Sequence, residues 1–442
     1  MSIVTSNTLK CNKNFKINFY GGNLSSDSGL LLVKEFIHQI GFGNLLSSFK
    51  TNDTAIRIHT DASILRQLMY QYMAGYFTDD CADGLRNDPV FCAALEKVAL
   101  ASQPTESRFF SRLDEYTLWQ LNSLLKSMRG IVYSIKMPDH VVLDIDTTLC
   151  NTYGHQEGSC FNYHYQSNGY HPIMCYDSLT EDLVAAELRE GSQYCCKDIR
   201  KFIEPVLQEY TCEYPEIALF VRGDSGFATD ELYVVCEEYG AKYSIRLKEN
   251  NVLKKLAEPI ADRLYADIRN NQNNVDHAVV YGEFSYQAKS WNHPRRVVCK
   301  IEKPEGQLLP SYTFVVTNME HSIPRILIDF YCKRGSMENM IKECKSGFDM
   351  SSVSSSKMIV NANRMMIHAL AYNIFNWMRR IVLPDYMKKD RIDTFRLKLL
   401  KVAARVVKSA RYVYFKLCST CVYKKEFMDI LSNIQMLNPQ LE

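Results

Sequence analysis

The stretch Val141-Val-Leu-Asp144-Ile-Asp146-Thr-Thr-Leu149 decides the fold. It is an apolar run of strand length, broken at alternate positions by carboxylates, and it reads as a β-strand. Side chains alternate across a strand. Asp144 and Asp146 therefore share one face with Val142, while Leu143 and Ile145 turn to the other. Two carboxylates on one strand face repel unless a cation or water meets them. A strand end fraying into solvent is the other reading of these residues taken alone.

Working outward, a Tyr-, His- and Gly-rich segment runs from Tyr153 to Pro172, and Ile173–Tyr176 and Leu183–Leu188 read as two more strands. Residues 196–210 suit a helix. Ile217-Ala-Leu-Phe-Val-Arg222-Gly-Asp224-Ser-Gly226 reads as a strand ending in a turn, with Asp224 at its tip beside glycines that permit close backbone approach. A helix from Asp230 to about Tyr239 and a strand through Tyr243–Leu247 follow. Strand with Asp, strand, strand, helix, strand with Asp, helix, strand is the order of an α/β, ribonuclease-H-like core. Beyond residue 250 comes a short helical piece. Ala278–Tyr281, Phe284–Tyr286, Arg296–Lys300 and Tyr312–Val316 then read as antiparallel strands of a β-rich insertion.

The next landmark is Tyr331-Cys-Lys-Arg334-Gly-Ser-Met-Glu338-Asn-Met-Ile-Lys-Glu-Cys-Lys345. Tyr331, Arg334, Glu338 and Lys345 stand at i, i+3, i+7 and i+14, within an arc of roughly 60° on one α-helix. Such a face suits a phosphate backbone, since Arg and Lys bind phosphate oxygens and the carboxylate needs a cation to approach them. It also suits a solvated face with i,i+4 ion pairs. Gly335 and Ser336 offer a further geometry, in which Ser336 caps a new helix from near Met337 and the four side chains converge through tertiary structure.

Tyr-x2-Arg-x3-Glu-x6-Lys resembles the signature of one branch of bacterial insertion-sequence transposases of the DDE type. Four fixed residues at fixed spacing arise by chance in roughly one chain in a hundred or fewer. Asp146-Thr-Thr148 and Arg222-Gly-Asp224-Ser-Gly-Phe227 precede it in the family's order, and Asp83-Gly-Leu-Arg-Asn-Asp-Pro-Val-Phe91 and Gly154-His-Gln-Glu-Gly158 resemble the insertion-sequence group called thirteen-eighty. The resemblance implies Asp146, Asp224 and Glu338 as the catalytic, metal-holding triad, with Asp144 the rival for the first place. It implies Tyr331, Arg334 and Lys345 as contacts to element-end DNA. Three carboxylates without a His or Cys ligand set suit Mg2+ or Mn2+, as two ions about 4 Å apart. The implied activity is cleavage at transposon terminal inverted repeats and joining to target DNA, with a homodimer holding two ends together. Trp291, within the insertion, reads either as a core side chain of the β-subdomain, the commoner place for Trp, or as a platform for stacking on an unpaired base.

The 442 residues exceed a single core, so two or three domains are expected, and the chain divides into five parts in sequence order. They are a mostly helical DNA-binding domain over 1–130, the first part of the catalytic core over 131–249 and the β-rich insertion over 250–320. The rest of the core, with the Glu338 helix, occupies 321–380, and a basic helical region 381–442. In the first part, helices are expected over Asp27–Ile40, 61–75, 90–100 and, capped by Thr105, on to about Met128 with a break near Asp114. In the last, Lys388, Lys389, Arg391, Arg396, Lys398, Lys401, Arg405, Lys408, Arg411 and Lys416 interleave with Tyr412, Tyr414 and Phe415, a density suited to phosphate. The net charge of +2 excludes a chain coated in basic residues but not a local basic stripe. No apolar run approaches the ~20 residues of a membrane span, and no secretory signal is visible at Met1–Ser6, so a cytoplasmic, nucleoid-associated protein is expected. The fifteen irregularly spaced cysteines suit free thiols, and the lone Cys418-x2-Cys421 is a poor zinc site. Competing functions are a non-cleaving DNA-binding relative, a nuclease without strand transfer, and a carboxylate-pair glycosidase. The last leaves the basic stretches unexplained.

Overall fold

The computed structural model describes residues 7–270, 277–304, 306–307 and 309–438. The chain forms two compact units, residues 1–120 with 370–442, and residues 121–369. Among the described residues no helix is long and apolar enough to cross a membrane.

In the first unit, after a small antiparallel pair of Asn7–Thr8 and Lys16–Ile17, the main elements are a short strand β1 (Leu24–Ser25), α1 (Leu30–Gln39), α2 (Asp61–Ala74), α3 (Pro89–Ala94) and α4 (Gln103–Phe110). Local chemistry sets these bounds. The Thr60 side chain accepts from the Ser63 N–H at the start of α2, and Gly75, at φ 88°, stops it. Asp88 accepts from Val90 and Phe91 at the start of α3. That helix ends by Leu95, short of the expected 100, and Glu96 turns to a positive φ. α4 begins one turn earlier than expected, after Ser102 rather than Thr105. The expected break near Asp114 is made by a reciprocal cap: Asp114 Oδ1 accepts from Thr117 N–H at 3.0 Å, and Asp114 N–H donates to Thr117 Oγ1 at 2.8 Å. The helix α5 (Glu115–Ile135) follows.

The second unit is built on an eight-stranded sheet. Its strands are β2 (His140–Thr147), β6 (Ile173–Asp177), β7 (Leu183–Glu187), β8 (Ala218–Gly223), β9 (Lys242–Leu247), β10 (Ala278–Tyr286), β11 (Arg295–Lys303) and β12 (Ser311–Thr317). Between β2 and β6 a separate three-stranded sheet forms from β3 (Cys150–Asn151), β4 (Cys160–Asn162) and β5 (Ser167–Tyr170). The large sheet has the order β10-β11-β12-β9-β8-β2-β6-β7. β2, β8 and β9 run parallel, and β6 is antiparallel to both of its neighbours. The β-rich stretch after residue 250 thus continues the central sheet, since β12 pairs antiparallel with β9.

The alternation of β2 holds. Val141, Leu143 and Ile145 enter a core with α6 (Ile199–Glu213), α7 (Asp230–Glu238), α8 (Asn251–Leu256) and α9 (Glu258–Asn270). On the opposite face Val298 of β11 and Val315 of β12 pack on Leu327, Ile328 and Tyr331 of α10 (Pro324–Cys332). The chain then tightens into a 3-10 turn over Lys333–Ser336, resumes as α11 (Met337–Lys342) and widens into a π turn over Glu343–Gly347. A fresh helix does start at Met337, but the Ser336 side chain makes no capping bond, and Tyr331 to Lys345 do not lie on one regular α-helix.

α12 (Met358–Ile381) precedes the C-terminal stretch, where the expected helix is replaced in part by a hairpin. β13 (Ala404–Lys408) pairs with β14 (Val413–Leu417) and with β1. Val406, Val407, Val413, Tyr414 and Phe415 favour strands, and their alternation overrides the helical spacing of the basic residues. Helix is kept over Ile392–Phe395 and a π turn over Arg396–Leu400, and after the hairpin it returns as α13 (Lys424–Gln435). Several of the basic side chains are ion-paired within this unit: Lys388 to Asp385, Arg396 to Asp393, Lys398 to Asp390 and Lys401 to Asp27. Arg405, Lys408, Arg411 and Lys416 are exposed on the hairpin.

Candidate active site

The site lies at the ends of the adjacent parallel strands β2 and β8. Their register sets Arg222 opposite Asp144, one pair before the last one that joins the two strands. Asp144 is 0 % exposed and Arg222 2 %. The guanidinium donates Nε to Oδ1 at 2.6 Å and Nη2 to Oδ2 at 2.8 Å, and also reaches Phe330 O and Ser178 Oγ. Its face lies over the Phe330 ring. Burial pushes the Asp144 carboxyl up to about 6, against the pull of Arg222. Both of its oxygens are thus engaged, and of the two carboxylates on this strand face it is Asp146 that borders open space.

Asp146 Oδ1 accepts from the Thr147 N–H at 2.8 Å, and Oδ2 pairs with Arg334 Nη2 at 2.8 Å. Arg334 also donates to Ile145 O at 3.1 Å, and its Nε is buried without a partner among the described residues. Burial raises the Asp146 carboxyl above the usual range and the charge of Asp224 adds to this, while Arg334 pulls it down. Burial opposes charge on Arg334 too, but Asp146 and Asp224 more than offset it. Asp224 follows β8 directly. Its Oδ1 accepts from the Gly226 N–H at 2.9 Å and tightens the turn.

Asp146 and Asp224 line one cavity of about 640 Å³, with Tyr165, His171 and Lys248. Asp146 and Glu338 line an adjoining one of about 490 Å³, with Lys342 and Lys345. The two cavities share Asp146, Thr147, His164 and Tyr165. The Glu338 side chain is 72 % exposed and lies 3.7 Å from Lys342 Nζ, one helical turn away. Lys345 Nζ donates to Leu149 O at 2.6 Å and Thr148 Oγ1 at 3.2 Å, tying α11 and its π turn to the loop after β2. Among the described residues no group of three or more His, Cys, Asp and Glu is close enough to hold a metal ion. Asp146 and Asp224 come together, and Glu338 stands across Asp146 in the next cavity. As an all-oxygen pair whose charges repel, the two aspartates fit a hard divalent cation.

One expectation is corrected, and one open alternative is decided. Tyr331 does not face outward: it is buried with Leu327, Ile328, Val298 and Val315, and burial raises its hydroxyl. Trp291 is no base-stacking platform, because it is buried edge-on between Tyr233 and Tyr286, with Arg295 over its ring. Among the described residues no cysteine forms a disulfide, and Cys418 Sγ meets Thr420 Oγ1. Sequence reasoning missed Arg222 as the partner of Asp144. Two opposite charges, each inside an apolar strand, were the available signal, because neither tolerates burial alone.

The family model described as Transposase DDE domain group 1 matches residues 7–439. The chain belongs to this family, a transposase family of the DDE class. No curated protein matches it. Among solved structures it is similar to the piggyBac transposase in its synaptic complex with hairpin DNA, at 14% identity and a TM-score of 0.38, over 94% of this chain and 86% of that one.

Proposed function

We propose that this protein cuts DNA at the ends of its own mobile element and joins them to target DNA, with Asp146, Asp224 and Glu338 as the acidic triad. The observation that carries this reading is the pair Asp146 and Asp224 at neighbouring strand ends of one cavity, in a chain of a DDE transposase family. The order β7-β6-β2-β8-β9, with β6 antiparallel, supports a ribonuclease-H-like core. Asp146 and Asp224 would hold Mg2+ or Mn2+, with Glu338 completing the set by turning from Lys342. Two such ions supply, when bound, charge stabilisation for in-line attack on a phosphodiester.

The chain's own residues have separate tasks in this reading. Arg222 neutralises Asp144 and fixes the strand that carries Asp146. Arg334 holds Asp146 in the free protein and forks onto a phosphate of the element end when DNA enters. Lys345 takes a neighbouring phosphate, while the buried Tyr331 ring supports the helix before Arg334. On the C-terminal hairpin, Arg405 stands directly opposite Lys416. Like charges in that position are destabilising without an anion, which supports a phosphate contact there. The terminal inverted repeats and the target are the DNA partners, a homodimer serves two ends, and the insertion-sequence thirteen-eighty group is the relationship the motifs suggest. A second reading, a non-cleaving DNA-binding relative, draws on Arg334 standing against Asp146.

The test is Asp146→Asn, Asp224→Asn and Glu338→Gln, each assayed for end cleavage with Mg2+ and, separately, for DNA binding. Cleavage should fall by at least about 100-fold with binding retained. A variant that cuts at the parent rate removes its residue from the triad.

A further inference from the structure

Strand β4 and the turn to β5 carry Phe161, Tyr163, His164 and Tyr165 within five residues, and Tyr194 stands on the loop after Gly191. Tyr163 is 82 % exposed and Tyr194 64 %. Rings left in water forgo the burial that ordinarily stabilises them. These rings nonetheless sit on a fixed frame. Buried Asn162 accepts at Oδ1 from the N–H groups of His164 at 3.0 Å and Tyr165 at 3.2 Å, and donates from Nδ2 to Gly191 O at 2.8 Å. Gly191 is pressed so closely on its neighbours that a Cβ there would stand 2.0 Å from Gly169 O. Tyr165 Oη donates to Thr147 O at 3.4 Å, tying the turn to the end of β2 beside Asp146. The rings of Phe161 and Tyr163 meet edge to face at 5.2 Å, and those of His164 and Tyr165 at 4.7 Å.

The result is a rigid aromatic wall along one side of the 640 Å³ cavity that also holds Asp146, Asp224 and Lys248. We propose that this wall stacks unpaired nucleobases of a DNA strand laid across Asp146 and Asp224. An aromatic face accepts any base, but a paired duplex offers only base edges, so the occupant is single-stranded. Lys248 in the same cavity, with Arg334 and Lys345 flanking Asp146, supplies the positive charge that the phosphates of such a strand require. An apolar protein partner suits the wall less well, because its edge is histidine and lysine and it opens onto carboxylates. The proposal rests on the DNA-acting reading of the site and adds to it where the bases go.

The experiment compares two probes on the full chain by fluorescence anisotropy. One is a labelled oligothymidylate of about a dozen nucleotides, the other an abasic strand with the same sugar–phosphate backbone. The parent protein should prefer the base-bearing strand by about 5- to 100-fold, the equivalent of one stacked base. Tyr163→Ala and Tyr194→Ala should lose that preference while binding the abasic strand as before, and Tyr163→Phe should keep it. Equal binding of both probes by the parent protein overturns the proposal, and so does a Tyr163→Ala chain that weakens on both probes alike. If Tyr163→Ala melts early, the parent and the Tyr163→Phe chain decide between the same outcomes. End cleavage is scored in parallel. Lost base preference with intact cleavage removes the wall alone, whereas base preference without cleavage keeps the wall and removes the cutting reading.

Discussion

Replacing Arg222 with methionine leaves the Asp144 carboxylate in the sheet without its counter-charge. Both groups are buried, joined by two hydrogen bonds of 2.6 and 2.8 Å, and Arg222 further ties Phe330 O and Ser178 Oγ to the strand. Breaking such a pair from one side costs about 3–5 kcal/mol. At ~2–4 °C per kcal/mol for a unit of this size, melting should fall by about 6–20 °C. The pH dependence has a definite sign. Burial already lifts Asp144 from 3.8 to about 6, and loss of Arg222 lifts it further. A carboxyl raised in the folded state binds its proton more tightly there than in the unfolded chain. The parent therefore loses stability as pH rises from about 4 through 6 and the variant through a still higher pH, so the deficit against the parent opens above about pH 6 and is smaller at pH 4 than at pH 7. Adding Asp144→Asn removes the stranded charge and should restore part of the loss. Melting followed by circular dichroism at both pH values reads all three proteins. An Arg222→Met chain melting within about 2 °C of the parent at neutral pH, or a double variant no better than the single one, refutes the reasoning.

Other outcomes follow from the same geometry. Arg334→Ala and Lys345→Ala should each weaken binding to element-end DNA and reduce the salt slope by about 1, measured by titration over a range of ionic strength. Arg405→Ala and Lys416→Ala should weaken binding to every duplex alike while leaving the order of preference among sequences unchanged.

Much of the core was legible because its signals are local. The period-two pattern of β2 and the glycines after β8 reveal both strand ends, and with them Asp146 and Asp224. Caps such as Thr60 and Asp88 mark helix starts within a few residues. What was not legible depends on partners far away in the chain. Nothing in residues 278–317 says that their strands join the central sheet, because the pairing of β12 with β9 is a long-range event. The register that makes Arg222 the partner of Asp144 is equally non-local. In the C-terminal stretch, dense Lys and Arg at helical spacing obscured the β-branched and aromatic alternation of Val406–Phe415. Glu338 is the mixed case. Its motif singled it out as a candidate, and the irregular helix from Lys333 to Gly347 leaves its carboxylate towards Lys342.

The claim on which the account stands is that Asp146 and Asp224 share a divalent cation. Crystals grown with Mn2+ and examined by anomalous scattering test it most directly. The account predicts manganese within about 2.1 Å of oxygens from both aspartates, with Arg334 drawn away from Asp146. Manganese absent from that cavity at saturating concentration, with Arg334 still against Asp146, would contradict it.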